Sequence, residues 1–248
     1  METIPFQPCV IIPAYNAEAT IGALVRRLKT SSIDVLVVSD GSTDRTAIEA
    51  IAAGALVISH LHHDGKGAAL RLGFSRALEH GYDPLVTMDS DGQHDPDDLP
   101  RLLAAARQAP DTIVVGQRTM TGGHRPRLRR WANGFMSGIV SVVTRRRIPD
   151  AQCGFRVIRR HTLAAVTLSS RRFEIETEVL LAAVRQGWGV TSVPVRTIDT
   201  PHVSRIRPVA DGLRFFGVIL RYLVLPPRRR RSSEPFDSAP PRSGRVEP

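Results

Sequence analysis

The segment Asp89-Ser90-Asp91-Gly92-Gln93-His94 concentrates more potential chemistry than any other in this chain. Two carboxylates one residue apart follow the apolar run Leu85 to Met88, and both cannot face a core. A hard divalent cation takes oxygen ligands and bridges to diphosphate oxygens. It also neutralises charge on a departing nucleotide diphosphate. Gln93 offers a further oxygen and His94 a nitrogen. The competing reading is a solvated acidic turn before a helix, where carboxylates answer the helix dipole. That reading suits Asp95, Asp97 and Asp98 better than Asp89 and Asp91, because an apolar run leads straight into the pair.

Two other segments could hold a ligand. Val38-Ser39-Asp40-Gly41-Ser42-Thr43-Asp44 reads as a strand, a tight turn and a helix start. Ser42 and Thr43 suit an N-cap and Asp44 a first helical turn. Asp40 could accept hydrogen bonds from a base or ribose, or serve only as a structural Asp-Gly turn. Gly65-Lys66-Gly67 opens a helix, so an anion site is conceivable there. It is neither a dinucleotide fingerprint, which Leu70 breaks, nor a P-loop, since Gly67 follows Lys66. Its small residues could equally serve close packing.

The elements that must position these groups alternate. Val10 to Pro13, Val35 to Ser39, Ala55 to Ser59 and Leu85 to Met88 are short apolar runs that read as buried strands. Helical spacing covers about 17–30, with Ile21, Leu24, Val25 and Leu28, a segment after Thr43 carrying Ile48 and Ile51, and 67–80. Such alternation predicts a parallel α/β sheet, with ligands at the carboxyl ends of its strands. Tyr15 and Asn16, Asp40 and Gly41, and Asp89 to Asp91 then share one edge. Further on come a helix over about 95–107, a strand at 112–115, a basic loop at 118–130 and a helix at 131–144. A helix at 173–185, a strand at 190–197 and a last helix at 208–225 follow. We expect one domain over 1–227 and a basic, disordered tail over 228–248.

Composition narrows the partners. The net charge of +10 calls for an anionic partner: nucleic acid, anionic lipid or a phosphorylated small molecule. Aromatic content of only 5% and the lack of zinc-finger or RNA-recognition spacing argue against nucleic acid. Cys9 and Cys153 have no ligand spacing, which predicts two core thiols and fits a reducing cytoplasm. No leader pattern is visible, and no stretch reaches the about 18 apolar residues of a spanning helix.

Taken in order, Val10-Ile-Ile-Pro-Ala-Tyr-Asn16, Val38-Ser-Asp-Gly-Ser-Thr-Asp44, Gly65-Lys-Gly67 and Asp89-Ser-Asp-Gly-Gln-His94 resemble glycosyltransferase family 2. Gly154-Phe155-Arg156 and Val193-Pro194-Val195-Arg196 extend the likeness to roughly 10–225. It is most similar to the dolichol-phosphate mannosyltransferase and polyprenyl-phosphate glycosyltransferase branch. The resemblance implies a nucleotide-diphospho-sugar transferase fold of GT-A type, an α/β architecture with a mostly parallel mixed sheet between helices. It implies a nucleotide-sugar donor held by Pro13, Tyr15, Glu18, Asp40, Asp89, Ser90, Asp91, Arg118 and Arg205. A Mg²⁺ or Mn²⁺ ion would sit on Asp89, Asp91 and Gln93. Asp89, Asp91 and Arg118 are the implied catalytic groups, and Arg118 and Arg130 would meet an acceptor phosphate. Two departures stand out: Ala17 occupies the position after Tyr-Asn that often holds Glu, and Ser204-Arg205 replaces a Ser-Lys pair.

The acceptor is open at this level. A lipid monophosphate is already ionised near neutral pH, its second pKa being about 6. It needs arginines to position it rather than a base, and Arg118, Arg125, Arg127, Arg129 and Arg130 supply them. A sugar or protein hydroxyl would call for a carboxylate base, with Glu174, Glu176 and Glu178 as candidates or else as an ordinary acidic first turn. We expect metal-dependent inverting transfer from GDP-mannose or a UDP-hexose to polyprenyl or dolichyl phosphate. The protein would be cytoplasmic, peripheral at the inner membrane face. The 131–144 helix and its flanking arginines suit an anionic membrane surface. The last helix, with Leu213, Phe216, Leu220 and Leu223 on one face, suits either a membrane or a core. A non-catalytic binder of anionic membrane or nucleic acid is the remaining alternative.

Overall fold

The structure is a computed structural model. It describes residues 6–119, 127–199 and 208–224, with side chains described outside 127–130 and 208–209. Strands β1 (Cys9–Ala14), β2 (Asp34–Asp40), β3 (Leu56–His60) and β4 (Leu85–Thr87) alternate with helices α1 (Glu18–Lys29), α2 (Thr46–Ala52) and α3 (Lys66–Glu79). All their strand pairs are parallel. Then come α4 (Leu99–Gln108), β5 (Thr112–Thr119), α5 (Arg127–Thr144), β6 (Arg156–Ile158), α6 (Arg160–Ala164), α7 (Ile175–Arg185), β7 (Gly189–Arg196) and α8 (Pro208–Val224). The seven strands form one sheet ordered β3-β2-β1-β4-β6-β5-β7. β6 runs antiparallel to β4 and β5, while β5 and β7 are parallel. This is the mostly parallel mixed sheet that the sequence implied.

Burial explains the local choices. Every residue of β1 is buried, as expected of a strand covered by helices on both faces. The α1 residues Ile21, Leu24, Val25 and Leu28 recur at helical spacing and all enter the core. Gly73 lets α3 lie close on the sheet, because a Cβ there would stand 2.4 Å from Ile11 Cγ2. Pro13 lacks an N–H, and it sits on β1 beyond the last β4 pairing, Ile11 with Thr87. Cys9 and Cys153 are buried free thiols, and burial pushes each up to about 12, which leaves them inert.

Several boundaries differ from the sequence reading. β5 continues through Arg118 to Thr119 where a loop was expected. Its neighbour β7 supplies a parallel ladder from Thr112–Gly189 to Thr119–Arg196, which overrides the weak strand propensity of Gly116 and Gln117. α2 starts at Thr46, so Ser42 and Thr43 are not its caps and Asp44 precedes it. Asp44 Oδ1 instead accepts from the Thr46 N–H at 3.0 Å. Ile48 and Ile51 are exposed, and Thr46 and Ala50 are the α2 residues that pack inward. A 3₁₀ turn at Pro96–Asp98 precedes α4, capped by Asp95. The short strand β6 and helix α6 were not foreseen; three strand residues between Arg156 and Ile158 carry too little pattern to read.

Candidate active site at the carboxyl edge of the sheet

The strand directions assemble the site. β1, β2, β4 and β5 all point their carboxyl ends to one edge, and antiparallel β6 starts from it. The loop before β6 therefore arrives beside the end of β4, where Thr87 Oγ1 donates to Gly154 O at 2.7 Å. This brings the Asp89–Asp91 turn, Asp40, Tyr15, Arg118 and the 150–155 loop to a common edge.

Asp89 lies at the centre of a charge cluster. Lys66 Nζ is 2.5 Å from Asp89 Oδ1 and 2.5 Å from Glu176 Oε1. His94 Nε2 stands 3.7 Å from Asp89 Oδ2. Burial works to raise the Asp89 carboxyl, but the Lys66 charge and the His94 contact outweigh it and hold the group well below the carboxylate range. Burial likewise opposes the Lys66 charge, and Asp89 and Glu176 together push its ammonium above the usual value. Gly154 passes so close that a Cβ would meet the Asp89 carboxylate at 2.5 Å. Asp91 Oδ1 accepts from the Gln93 N–H at 3.0 Å, and Thr20 Oγ1 on α1 anchors the Ser90 carbonyl at 2.6 Å.

The Gly-Lys-Gly run thus places a lysine between two carboxylates, and its glycines allow a close approach. Gly65 adopts φ +100°, and a Cβ on Gly67 would stand 2.6 Å from Ser170 O. The sequence reading named the Gly65-Lys66-Gly67 run as a conceivable anion site or a close-packing device, and spacing alone did not pair Lys66 with Asp89 and Glu176. It also treated Glu174, Glu176 and Glu178 alike, and the structure separates them. Glu178 is fully buried and accepts from the Ser169 and Ser170 N–H groups. Glu174 accepts from the Arg171 and Arg172 N–H groups. Only Glu176 faces the Asp89 cluster, so a uniform solvated acidic turn is not what forms.

Arg118 is locked in a bidentate pair with Asp150, Nε to Oδ2 at 2.6 Å and Nη2 to Oδ1 at 2.7 Å. Both side chains are largely buried. Burial opposes the guanidinium charge, but the Asp150 hydrogen bond and charge overcome it and raise its pKa. Asp150 was absent from the sequence reading. Arg156, 2% exposed, donates to the carbonyls of Cys153 (2.7 Å), Ala151 (2.7 Å) and Glu176 (2.5 Å), tying the 150–155 loop to the start of α7.

On the other flank, Tyr15 stacks on His63 with ring centroids 4.0 Å apart. Asp40 is buried and accepts from the N–H groups of Asp64 (2.9 Å) and Gly65 (2.8 Å). Glu18 Oε2 accepts from the Arg45 N–H, and Asp44 Oδ2 from the Glu18 N–H, so the segments leading into α1 and α2 cap one another. The Arg130 side chain and the whole of Arg205 lie outside the described residues, as does the tail over 228–248.

Whether this edge suits a divalent cation depends on its donors. Asp89 and Asp91 offer hard oxygens, with Gln93 and the partly orphaned ring of His94 beside them; His94 Nδ1 is buried without a hydrogen-bond partner. Among the described residues no three His, Cys, Asp or Glu side chains converge into an all-protein cage. One or two carboxylates suit an ion that takes its other ligands from substrate diphosphate and water. The residues present fit that use.

Comparison with known proteins agrees with this geometry. Residues 9–166 match Glycosyl transferase family 2. The undecaprenyl-phosphate mannosyltransferase of Micrococcus luteus is 34% identical over 76% of this chain and 82% of its own. The polyprenol monophosphomannose synthase of Mycolicibacterium smegmatis is 33% identical over 75% of each chain. The glucosyl-3-phosphoglycerate synthase of Mycobacterium tuberculosis, solved with Mn²⁺, UDP-glucose and phosphoglyceric acid, superposes with a TM-score of 0.69. It covers 89% of this chain and 80% of its own at 22% identity, a likeness of fold. With the acidic turn, the doubly wound edge and these relatives together, the chain is a glycosyltransferase and belongs to glycosyl transferase family 2, similar within it to the polyprenyl-phosphate branch.

Proposed function

We propose that the chain transfers a hexose, with inversion, from GDP-mannose or a UDP-hexose to a polyprenyl phosphate at the cytoplasmic face of a membrane. The observation that carries this reading is the Arg118–Asp150 fork on the same sheet edge as Asp89 and Asp91. Arginine suits recognition of a phosphate acceptor, and Asp150 fixes where this guanidinium stands. The relatives named for undecaprenyl and polyprenol phosphates support it.

In this reading the acceptor phosphate oxygen attacks the anomeric carbon as the bond from that carbon to the nucleoside diphosphate breaks. The nucleophile is already ionised, so no side chain needs to remove a proton. A divalent cation, Mg²⁺ or Mn²⁺, when bound by Asp91 and Gln93 with Asp89 nearby, would neutralise charge on the leaving diphosphate. Tyr15 and Asp40 bound the nucleoside end, with Pro13 in the strand beneath them. Arg118 orients the acceptor phosphate together with Arg130, and Arg205 contacts the donor. Lys66 keeps the half-buried Asp89 and the buried Glu176 compatible by standing between their carboxylates.

Helix α8 presents Leu213, Phe216, Leu220, Leu223 and Val224 outward, each at least 49% exposed, while Phe215, Val218 and Ile219 pack inward. The face identified in sequence is therefore not buried among the described residues. α8 packs against α5, whose Trp131 and Phe135 are also exposed and stack at 5.4 Å. Exposed arginines 145–147 follow α5. No helix among the described residues is long and apolar enough to cross a membrane. We read these faces as lying in an anionic membrane surface. Replacing both Phe216 and Leu220 with Asp should reduce flotation with anionic vesicles by at least about tenfold, since each buried apolar side chain contributes roughly 1.5–3 kcal/mol. An unchanged flotation profile would remove α8 from the membrane contact.

The reaction itself is tested with purified protein, Mg²⁺ or Mn²⁺, and GDP-mannose, UDP-glucose or UDP-N-acetylglucosamine offered with a polyprenyl phosphate. Lipid-linked product from one donor supports the proposal and names the sugar. Transfer only to hydroxyl acceptors would keep the transferase, discard the phosphate acceptor and turn attention to Glu176 as a base.

A further inference from the structure

Asp40 has no acceptor position left. Its Oδ1 takes the Asp64 N–H at 2.9 Å, with His60 Nδ1 at 3.4 Å. Its Oδ2 takes the Gly65 N–H at 2.8 Å and lies 2.8 Å from His63 Nδ1. A carboxylate has about four lone-pair sites; Asp64, Gly65 and His60 take three, and His63 Nδ1, which pairs with the Asp40 carbonyl at 3.3 Å, covers the fourth by close approach. Burial works to raise the Asp40 carboxyl, and the His60, Asp64 and Gly65 hydrogen bonds with the His63 contact more than offset it.

The four partners are not equivalent. Two are backbone N–H groups of the loop entering α3. That loop is pinned, because Gly41 at φ +67° would place a Cβ 2.5 Å from the His62 and His63 backbone. His60 lies at the end of β3 with its side chain only 8% exposed. The His63 side chain is 38% exposed and can leave without unpicking the fold. Its imidazole also lies against the Tyr15 ring at 4.0 Å and 24° between planes. It therefore covers an aromatic face and a carboxylate oxygen together, the two features with which this edge could hold a flat heterocycle bearing an N–H donor.

We infer that His63 is a donor-site residue that stands in for the nucleotide base: the base of the nucleotide-sugar displaces the His63 ring from Tyr15 and takes its place on Asp40 Oδ2. This rests on the reading of this edge as the nucleotide-sugar site. The closed arrangement described here then competes with the donor. An open form populated at about 10% raises the apparent Kd about tenfold, and removing the competing ring removes that penalty.

The test is calorimetric titration of the full chain with GDP and with UDP, in Mn²⁺, for the wild type, His63→Ala and His63→Asn. Asn keeps a hydrogen-bond donor toward Asp40 without the ring. His63→Ala should bind its preferred nucleotide about tenfold more tightly, with His63→Asn between it and the wild type. Imidazole resonances of His63 should move on nucleotide addition while those of His161, far along the chain on α6, stay fixed. Equal affinities across the three proteins would overturn the inference and leave the donor site standing, as would weaker binding by His63→Ala, which would make the ring a direct contact. No binding of either nucleotide to any of the three would overturn both the inference and the donor-site reading.

Discussion

Asp91→Ala should lower sugar transfer at least about a thousandfold while the protein melts close to the wild-type temperature. A thousandfold corresponds to about 4 kcal/mol of transition-state stabilisation, within reach of a cation that neutralises a leaving diphosphate. Asp91 is the carboxylate best placed to show this cleanly. It is only partly buried, and its Oδ1 accepts from the Gln93 N–H of the same turn. Asp89, by contrast, is bound to Lys66, so its removal would also leave Lys66 and Glu176 rebalanced around a gap. Mn²⁺ affinity followed by electron paramagnetic resonance, in the presence of nucleoside diphosphate, should fall in parallel with turnover. Full turnover in Asp91→Ala would remove this residue from the metal assignment.

The second large effect concerns Arg118. Arg118→Ala should cut kcat/KM for the acceptor by about a hundredfold or more, with nucleotide affinity changed much less. The substitution should also destabilise the protein by about 3 kcal/mol, because Asp150 is left largely buried without its partner. The two consequences can be separated. Removing Asp150 as well should restore much of the stability, since no buried charge is then stranded, but none of the acceptor contact. Arg118→Lys keeps a charge beside Asp150 but loses the two-pronged bond to it, so it should recover only part of the stability and, without the planar guanidinium, little of the activity. Activity that returns with stability in the double variant would make Arg118 a structural residue and take it out of the acceptor site.

How much of this could be read beforehand depends on range. The parallel half of the sheet was readable because β1, β2 and β4 are buried on both faces, and such strands write themselves as uninterrupted apolar runs. Strand ends were readable too, because polar groups such as Asp40 and Asp89 cannot continue an apolar run. Boundaries that depend on a neighbour were not. β5 extends to Thr119 only because β7 lies alongside it, and β6 exists only as a bridge between β4 and β5.

By itself, then, the order of motifs determined the family, the α/β class and the edge on which Tyr15, Asp40, Asp89 and Asp91 meet. Only the tertiary structure decided who answers their charges. Lys66 reaches Glu176 across 110 residues of chain, and Arg118 reaches Asp150 across 32. It also decided that Leu213, Phe216, Leu220 and Leu223 face outward rather than into a core. The physical reason is the same in each case. A periodic pattern records which face of an element is apolar, whereas ion pairing and burial are set by what another element brings within a few ångströms, and no spacing along the chain encodes that distance.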